Sequence, residues 1–312
     1  MSGDSGFMRS TPQPGVAVGT AQAGRDLFVA EVIHVYQIMQ EAPPRKWEAP
    51  QDAPRTEVAR AALALALLKK VETCIYLGRR YGLTPQSPVS PALLGSLALG
   101  VKPLEADSLS EAMSWLARRV GLAAARQHLA DQYASLDEVG SEVATELNDL
   151  ASVAAGRTFV TGSYSARIQN ALGPALTVIH GDPQLGHGLP RSRSQRAHLL
   201  MLHGSEQDFQ NALVSRDDVL TYGEHRPALA RAVSNLLSSP EPWIVLGAEE
   251  EADSTFHLLV GNASRKLEMQ QRPLFVVDPR PEDDVINEWP QVALRHVRLT
   301  PAEFLSLPRR VE

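Results

Sequence analysis

The sequence predicts an α/β protein in which a doubly wound parallel sheet follows a largely helical N-terminal half. From residue 157 onward, short apolar runs alternate with segments of helical length and composition. The apolar runs are continuous and do not alternate in polarity, which is typical of strands that are buried on both faces. Before residue 157, the longest patterned segments are rich in residues that favour helices.

Three segments are predicted along the chain. Its 312 residues exceed the usual single-domain range of roughly 100–200 residues, so two lobes and a tail are expected. Residues 1–14 lack the basic start and long apolar core of a secretory signal, and a flexible tail is predicted there. Residues 15–142 are predicted to form a mainly helical lobe, which could also contain the first strand of the sheet. Residues 143–312 are predicted to form the α/β domain.

Two helices of the N-terminal half have clear end signals. Residues 56–81 are dense in Ala, Leu, Lys, Glu and Arg, and Gly82 is placed to end this helix. A later helix begins after Ser108, whose side chain can cap it, and Glu111 completes a capping box. Both helices are predicted to belong to the helical lobe.

Five buried strands and three helices are predicted in the second half. The strands are residues 158–161, 176–180, 198–203, 243–246 and 273–277. The helices between them are residues 163–172, 227–237 and 254–269. Strands and helices in this order form βαβ units with right-handed crossovers, which build a Rossmann-like sheet.

Composition and charge argue against several classes of protein. Hydrophobic residues make up 44% and charged residues 21% of the chain, which is ordinary for a globular protein and too apolar for a disordered one. The net charge of −6 argues against a general nucleic-acid binder, which usually has a basic excess or stripe. The one candidate basic patch, Arg191, Arg193 and Arg196, is better explained as a solvated loop.

Cysteine content and hydropathy exclude further kinds of structure. The single cysteine, Cys74, rules out an internal disulfide and a cysteine-based zinc site, because each needs at least two thiols. The longest apolar run, residues 61–68, is far shorter than the roughly 20 residues that cross a bilayer, so no membrane association is expected. Without a secretory signal, a cytoplasmic protein is expected.

Small and polar residues follow the predicted strands and provide the candidate binding positions. In doubly wound sheets, ligands bind beyond the carboxyl ends of the strands. Those ends read Thr161-Gly162-Ser163-Tyr164-Ser165, His180-Gly181-Asp182, His203-Gly204-Ser205 and Gly247-Ala248. Each motif is weak alone, and their order carries the information.

In this order, the strand ends resemble those of the sirtuin superfamily, and in particular the bacterial sirtuin-like domains of NAD-consuming antiphage systems. Residues 159–165 resemble the family's Thr-Thr-Asn-Tyr-Asp strand end, and residues 202–205 match its Leu-His-Gly-Ser motif. Residues 213–218 resemble the family's Leu-Thr-x-x-Asp type segment, and residues 244–247 resemble its strand that ends in glycine. Asp253 and Phe256 resemble the Asp and Phe that follow that glycine.

The resemblance implies an NAD cofactor and a catalytic histidine, His203, which would act as general base on a ribose hydroxyl. A histidine hydrogen-bonded to the backbone at a strand end is the structural alternative. The cofactor-binding positions that the resemblance implies are Thr161, Ser163, Ser165, Gly204, Gly247 and Asp253.

Departures from the family pattern predict weak or lost catalysis. The family's Asn and Asp, which orient the nicotinamide ribose and the attacking water, correspond to Ser163 and Ser165, whose hydroxyls are too short to reproduce that geometry. The Gly-Ala-Gly-x-Ser phosphate loop is not intact either. Its best candidate is residues 16–24 with Gly19, although a plain N-terminal loop is the simpler interpretation. The family's zinc ribbon is absent, because the chain has one cysteine.

Two further polar features are assigned structural or solvated roles. His180 and His187 are not spaced as known metal ligands are, so no metal is predicted. The acidic residues 249–251 could contact a ribose or Mg²⁺, but a solvated loop is the better interpretation.

Three functions follow as hypotheses. The first is a degenerate sirtuin-like pseudoenzyme that binds NAD or ADP-ribose, or acts as a scaffold, within a bacterial antiphage or conflict system. The second is an active NAD⁺ glycohydrolase that depletes NAD on infection through His203. The third is a protein-interaction and oligomerisation module, with a protein partner or a homo-oligomer as its ligand. The serine substitutions favour the first and third.

Overall fold

The computed structural model describes the sheet, its covering helices and two helices of the N-terminal half. The described residues are 68, 73–78, 109–139, 150, 153–185, 196–239, 241–248, 253–264, 274–289, 292 and 294–311, all within the unit Pro44–Glu312. Several sequence predictions lie outside them: Gly19, Gly82, Ser108, His187, Arg191, Arg193, the acidic residues 249–251 and the tail 1–14.

Seven strands of the described chain form one parallel sheet. They are β1 (Cys74–Leu77), β2 (Thr158–Thr161), β3 (Leu176–Ile179), β4 (Ala197–Met201), β5 (Trp243–Leu246), β6 (Leu274–Val277) and β7 (Leu294–Val297). Their order in the sheet is β3-β4-β2-β1-β5-β6-β7, and every pair is parallel. The predicted α/β fold with a doubly wound, Rossmann-like sheet is therefore confirmed.

Helices connect and cover the strands. They are α1 (Leu109–Val120), α2 (Leu122–Val139), α3 (Ala166–Leu172), α4 (Arg216–Leu220), α5 (Tyr222–His225), α6 (Pro227–Leu237), α7 (Ser254–Ser264), α8 (Glu282–Glu288) and α9 (Pro301–Val311). Two short 3-10 helices, Asp182–Leu185 and Glu206–Asn211, follow β3 and β4. The three helices predicted in the second half correspond to α3, α6 and α7.

The helix prediction for residues 56–81 is wrong at its C-terminal end, where Cys74–Leu77 forms β1. Leu68 is helical, as the surrounding Ala and Leu residues favour, but the next apolar run is Cys-Ile-Tyr-Leu. Beta-branched and aromatic residues fit a pleated, buried surface. All four side chains of β1 are buried, so packing between β2 and β5 overrides the helix propensity of the flanking residues.

The edge strand β7 was not predicted, because Arg295 and His296 interrupt its apolar pattern. In the structure, the Arg295 guanidinium lies 5.7 Å from the centre of the Phe275 ring on β6. His296 is buried, and its Nε2 lies 2.8 Å from the carbonyl oxygen of Asp278. An edge strand can therefore carry polar residues whose partners come from the neighbouring strand.

Alternate residues of the strands pack into two hydrophobic layers, one on each face of the sheet. On one face, Tyr76 and Val245 pack with residues of α6, α7 and α8. On the other face, Ile75 and Leu77 pack with residues of α3 and α9. Both layers are buried, as the continuous apolar strands predict.

A third hydrophobic cluster joins the N-terminal helices to the loops beyond the sheet. Met113 of α1 and Leu129 of α2 are fully buried in it, together with Tyr164 and Phe209. The Tyr164 hydroxyl donates a hydrogen bond of 2.6 Å to the carbonyl oxygen of Leu213. The helical pair α1–α2 therefore packs directly on the segments that follow β2 and β4.

The two central strands approach each other very closely where they end. The Gly78 amide donates to the Leu246 carbonyl at 2.9 Å. A Cβ atom placed on Gly78 would lie 1.9 Å from the carbonyl oxygen of Gly247, and Gly247 has a positive φ of 62°. Only glycine at position 78 permits this approach.

We expect Gly78→Ala to lower the free energy of unfolding by about 3 kcal/mol, because the new methyl group meets backbone atoms that cannot rotate away. The matched control is Gly261→Ala in α7, where nothing lies within 4 Å of the added Cβ. This control should gain about 0.5–1 kcal/mol from helix propensity. Urea unfolding midpoints measure both changes, and equal effects of the two substitutions would contradict the contact.

A buried histidine makes stability depend on pH. His257 of α7 stacks on Trp289, with ring centres 3.8 Å apart, and its Nε2 has no hydrogen-bond partner among the described residues. Burial lowers the pKa of His257 from 6.5 to about 4. The folded state therefore stabilises the neutral imidazole relative to the charged one.

The stability that comes from the neutral His257 should be complete above pH 6.5 and lost as the pH falls towards 4, because the unfolded chain takes up the proton first. The loss should reach about 3 kcal/mol near pH 4. In His257→Phe, which keeps an aromatic ring against Trp289, this part of the pH dependence should vanish. Unfolding free energies of the wild type and the variant, measured from pH 8 to pH 4, test this prediction. The difference at pH 8 gives the effect of the substitution on packing. If the two curves stay parallel down to pH 4, the prediction is wrong.

Candidate functional site

The chain order of the strands places a topological switch point between β1 and β5. From β1 the chain continues through β2, β3 and β4 on one side, and then crosses to β5, β6 and β7 on the other side. In such sheets, ligands bind beyond the strand ends at the switch point. Gly247 ends β5 there, as the sequence predicted, and Gly78 ends β1 opposite it.

Gly78 is a site position that sequence reasoning missed. Its signal is a glycine directly after the apolar run Cys-Ile-Tyr-Leu, but the helix formers before that run predict a helix there. The predicted phosphate-loop glycine, Gly19, lies outside the described residues. Gly78 and Gly247 pack backbone against backbone at the switch point, which the absence of a side chain on Gly78 permits.

At the end of β2, three hydroxyl side chains bind backbone amides in succession. The Thr161 hydroxyl donates to the Leu77 carbonyl at 2.9 Å and accepts from the Ser163 amide at 3.0 Å. The Ser163 hydroxyl accepts from the Ser165 amide, and the Ser165 hydroxyl accepts from the Arg167 amide, each at 3.2 Å. Ser165 is thereby the N-cap of α3.

These contacts give the two serines structural roles. Ser163 is 0% and Ser165 is 2% exposed, so neither side chain reaches into solvent. Each hydroxyl satisfies a backbone N–H two residues later, which is the usual hydrogen bond of a serine or threonine turn. The positions predicted to contact a cofactor are therefore occupied by short side chains that bind the protein's own backbone.

His203 follows β4 and is held through both ring nitrogens. Its Nδ1 lies 3.1 Å from the carbonyl oxygen of Gly162, and its Nε2 lies 2.8 Å from Oγ1 of Thr255. A carbonyl oxygen can only accept, so we assign the proton to Nδ1. In the neutral ring, Nε2 then accepts a hydrogen bond from the Thr255 hydroxyl.

Thr255 was not predicted, because it lies 52 residues from His203 along the chain, in the first turn of α7. No local pattern marks a threonine at that position as a partner of a strand-end histidine. The contact depends on the sheet order, which brings the start of α7 towards the end of β4. His203 itself is 1% exposed.

Two tyrosines pack around the imidazole. The ring centre of Tyr164 lies 6.0 Å and that of Tyr222 lies 6.2 Å from the ring centre of His203. Burial raises the pKa of Tyr222, so its phenol is protonated at neutral pH. The Tyr222 hydroxyl and the Ser205 hydroxyl are both buried without a hydrogen-bond partner among the described residues.

Gly204 is required by the backbone. Its φ is 96°, which disfavours other residues, and a Cβ would lie 3.2 Å from Cα of Ala212. The amide of Leu213 donates to the His203 carbonyl at 2.8 Å, which closes the loop between them. Gly204 therefore fixes the turn that presents His203, whatever it binds.

Asp253 contacts the central strand β1 through Tyr76. Its carboxylate accepts a hydrogen bond of 2.6 Å from the hydroxyl of Tyr76, and it is 1% exposed. Phe256, one turn later, stacks on the Tyr76 ring with ring centres 3.6 Å apart. The predicted cofactor residue is thus used to attach α7 to β1.

The structure brings some predicted site residues together and separates others. Thr161, Ser163 and Ser165 lie beside His203 and Gly204, because β2 and β4 are neighbours. Gly247 follows β5, two strand spacings or roughly 10 Å from β2.

Neither a metal-binding cluster nor a membrane-spanning helix is found in the described part of the chain. Among the described residues, no three His, Cys, Asp or Glu side chains form a group that could hold a metal ion. Burial raises the pKa of Cys74 to about 12, which keeps the thiol protonated. In the described part of the chain, no helix is long and apolar enough to cross a membrane.

Comparison with known protein families finds a match in the second half of the chain. Residues 157–298, which include every strand from β2 to β7, match the family model described as SIR2-like domain. No curated protein matches the chain. The matched segment contains the hydroxyl-bearing end of β2, His203, Gly247 and Asp253. The match over residues 157–298 is consistent with a member of the sirtuin-like superfamily.

Proposed function

We propose that the chain binds a nucleotide of the NAD or ADP-ribose class and has weak or lost NAD cleavage. It would serve as a binding or scaffolding subunit, with a protein partner or further copies of itself, in a bacterial antiphage or conflict system. The observation that carries the proposal is the closed hydrogen bonding around His203, in which both ring nitrogens have partners within the protein.

Nucleotide binding is supported by the family and by the switch point. SIR2-like domains generally bind NAD, and the sequence match spans the strand ends of such a site. β1 and β5 end at this switch point in Gly78 and Gly247, and ligands of doubly wound sheets bind beyond such strand ends. The buried hydroxyls of Ser205 and Tyr222 add two polar groups near His203 that lack partners in the described structure.

Weak catalysis is supported by the geometry at the ends of β2 and β4. A general base must come within about 2.6–3.2 Å of the proton that it removes. The Thr255 hydroxyl already occupies that range from Nε2, at 2.8 Å. Displacing it would leave a buried hydroxyl unsatisfied, which costs about 1–3 kcal/mol. Ser163 and Ser165 are poorly placed to position the ribose or the water in compensation, because both are buried and their short hydroxyls accept from backbone amides.

An active NAD⁺ glycohydrolase is the second candidate, and one observation favours it. With the proton on Nδ1, facing the Gly162 carbonyl, Nε2 carries the lone pair that a general base needs. Rotation of the Thr255 side chain would expose that lone pair to a substrate hydroxyl. This function therefore requires a change of one rotamer in addition to a rearranged end of β2.

In an assay with excess NAD and the purified full chain, we expect nicotinamide release to stay at the level of the His203→Ala variant. The reason is the lost positioning groups at residues 163 and 165, since such groups typically contribute factors of 10² or more, an order-of-magnitude figure. Circular dichroism would first establish that the variant is folded. Rapid release by the wild type, abolished in the variant, would establish the glycohydrolase instead.

We expect NAD and ADP-ribose to raise the unfolding temperature of the wild-type chain in a concentration-dependent way. Ligand binding to the folded state alone stabilises it by about 2.7 kcal/mol when the concentration is 100 times the Kd. Nicotinamide, which has no phosphates, is the control ligand and should have a much smaller effect. An unchanged unfolding temperature at millimolar NAD and ADP-ribose would favour a protein-interaction and oligomerisation module.

A further inference from the structure

A second cleft lies at the carboxyl end of the edge strand β3. Its volume is about 560 Å³, and its walls come from the end of β3, the 3-10 helix Glu206–Asn211, α2 and the end of α5. β3 is three strand spacings from β1, roughly 14 Å, so this cleft is separate from the switch point. Clefts of this size hold small organic ligands.

The lining of the cleft is rich in cationic and donor groups. Arg126, Arg226, His180 and His225 line it, and Asp208 is the one acid among the described lining residues. Both carboxylate oxygens of Asp208 lie 3.0 Å from the side-chain nitrogen of Asn211, which donates to them. The two guanidinium charges are therefore not balanced by an equal number of carboxylates in the lining.

Both guanidinium groups are held in place by backbone carbonyls of one segment. Arg126 donates from Nη1 to the Gln210 carbonyl, and Arg226 donates from Nη2 to the Asn211 carbonyl, each at 2.7 Å. Among the described residues, neither forms an ion pair, and the Nε–H of each is buried without a partner. A guanidinium has five N–H donors and no acceptor, so unused donors here can only be satisfied by an acceptor.

The end of β3 contributes a third donor. The side-chain oxygen of Gln184 accepts from the amides of His180 and Gly181, at 2.7 and 3.2 Å, which fixes the orientation of the amide group. Its NH₂ group therefore faces Nε2 of His180, at the long distance of 3.5 Å. We assign the imidazole proton to Nδ1, because the Gln184 nitrogen that faces Nε2 can only donate, and among the described residues Nδ1 is buried without a partner.

Gly181 allows Arg226 to approach the end of β3. A Cβ on Gly181 would lie 3.0 Å from Nη1 of Arg226, so a larger residue would crowd the guanidinium. The next residue, Asp182, points its carboxylate at the start of α6, where it accepts from the amides of Ala228 and Leu229 at 2.8 and 3.0 Å. In the motif His180-Gly181-Asp182, His180 provides a donor, Gly181 leaves room for the Arg226 guanidinium, and Asp182 caps the start of α6.

We propose that this cleft binds the phosphoryl group of a small phosphomonoester. Arg126 and Arg226 donate charge-assisted hydrogen bonds to its oxygens, and His180 donates from Nδ1. A phosphomonoester carries about −1.5 to −2 charges at pH 7, which matches two guanidinium groups that form no ion pair with any described residue, whereas a monocarboxylate neutralises only one. The site is additional to the proposed nucleotide site at the switch point and does not depend on it.

Binding of inorganic phosphate and AMP to the full chain, measured by calorimetry, tests the proposal. The double variant Arg126→Gln, Arg226→Gln should weaken both ligands at least about tenfold, because it removes two charge-assisted contacts. The matched control Arg118→Gln, Arg231→Gln changes the net charge equally at two exposed positions and should leave the affinities unchanged. NAD stabilisation should persist in both variants, which separates this cleft from the switch point.

Three outcomes would overturn the proposal. The first is no saturable binding of phosphate or AMP at about 10 mM, roughly ten times a millimolar Kd. The second is an equal loss of affinity in the control variant, and the third is tighter binding of succinate than of phosphate. If the arginine double variant fails to fold by circular dichroism, His180→Ala replaces it, because this change removes the Nδ1–H and leaves both guanidinium groups. It should weaken phosphate several-fold, and unchanged affinity in a folded His180→Ala protein would also overturn the proposal.

Discussion

The central strand β1 is the constraint on which the sheet depends. Its backbone pairs with β2 on one side and with β5 on the other, so it joins the three strands β3-β4-β2 to the three strands β5-β6-β7. Without it, each group would have an open edge where a buried ladder of hydrogen bonds now lies. Yet β1 lies outside the SIR2-like segment, residues 157–298. The recognisable domain therefore completes its sheet only with a strand from the N-terminal half.

A series of direct contacts links β1 to the imidazole of His203. Tyr76 on β1 binds Asp253 and stacks on Phe256, which fixes the first turn of α7. That turn carries Thr255, whose hydroxyl meets Nε2 of His203. The position of the imidazole is thus coupled to the most buried part of the sheet. A group held so rigidly contributes to the packing of β4 against α7 whether or not it ever acts on a substrate.

Most of the sheet could be predicted from the sequence, because buried parallel strands are continuous apolar runs that need no other information. β1 could not, because Cys74–Leu77 follows a segment of strong helix formers and only its place between β2 and β5 favours the strand. For the site, His203 and Gly247 were found as residues that follow strands. Thr255 could not be found, since its contact spans 52 residues and depends on the sheet order. Gly78 was missed together with β1.

The hydroxyl side chains at the end of β2 show how short residues can hold a buried strand end together. A backbone amide that is buried at a strand end must have an acceptor, and the hydroxyls of Thr161, Ser163 and Ser165 each supply one. Asparagine or aspartate can make the same kind of turn, so the backbone alone does not require serine. The difference is volume: these two serine positions are at most 2% exposed. Larger side chains would have to fit at two positions that are closed to solvent, and Ser165 is the residue that caps α3. Exchange of these serines for the asparagine and aspartate of the resemblance would therefore place longer side chains at the buried end of β2 and at the N-cap of α3.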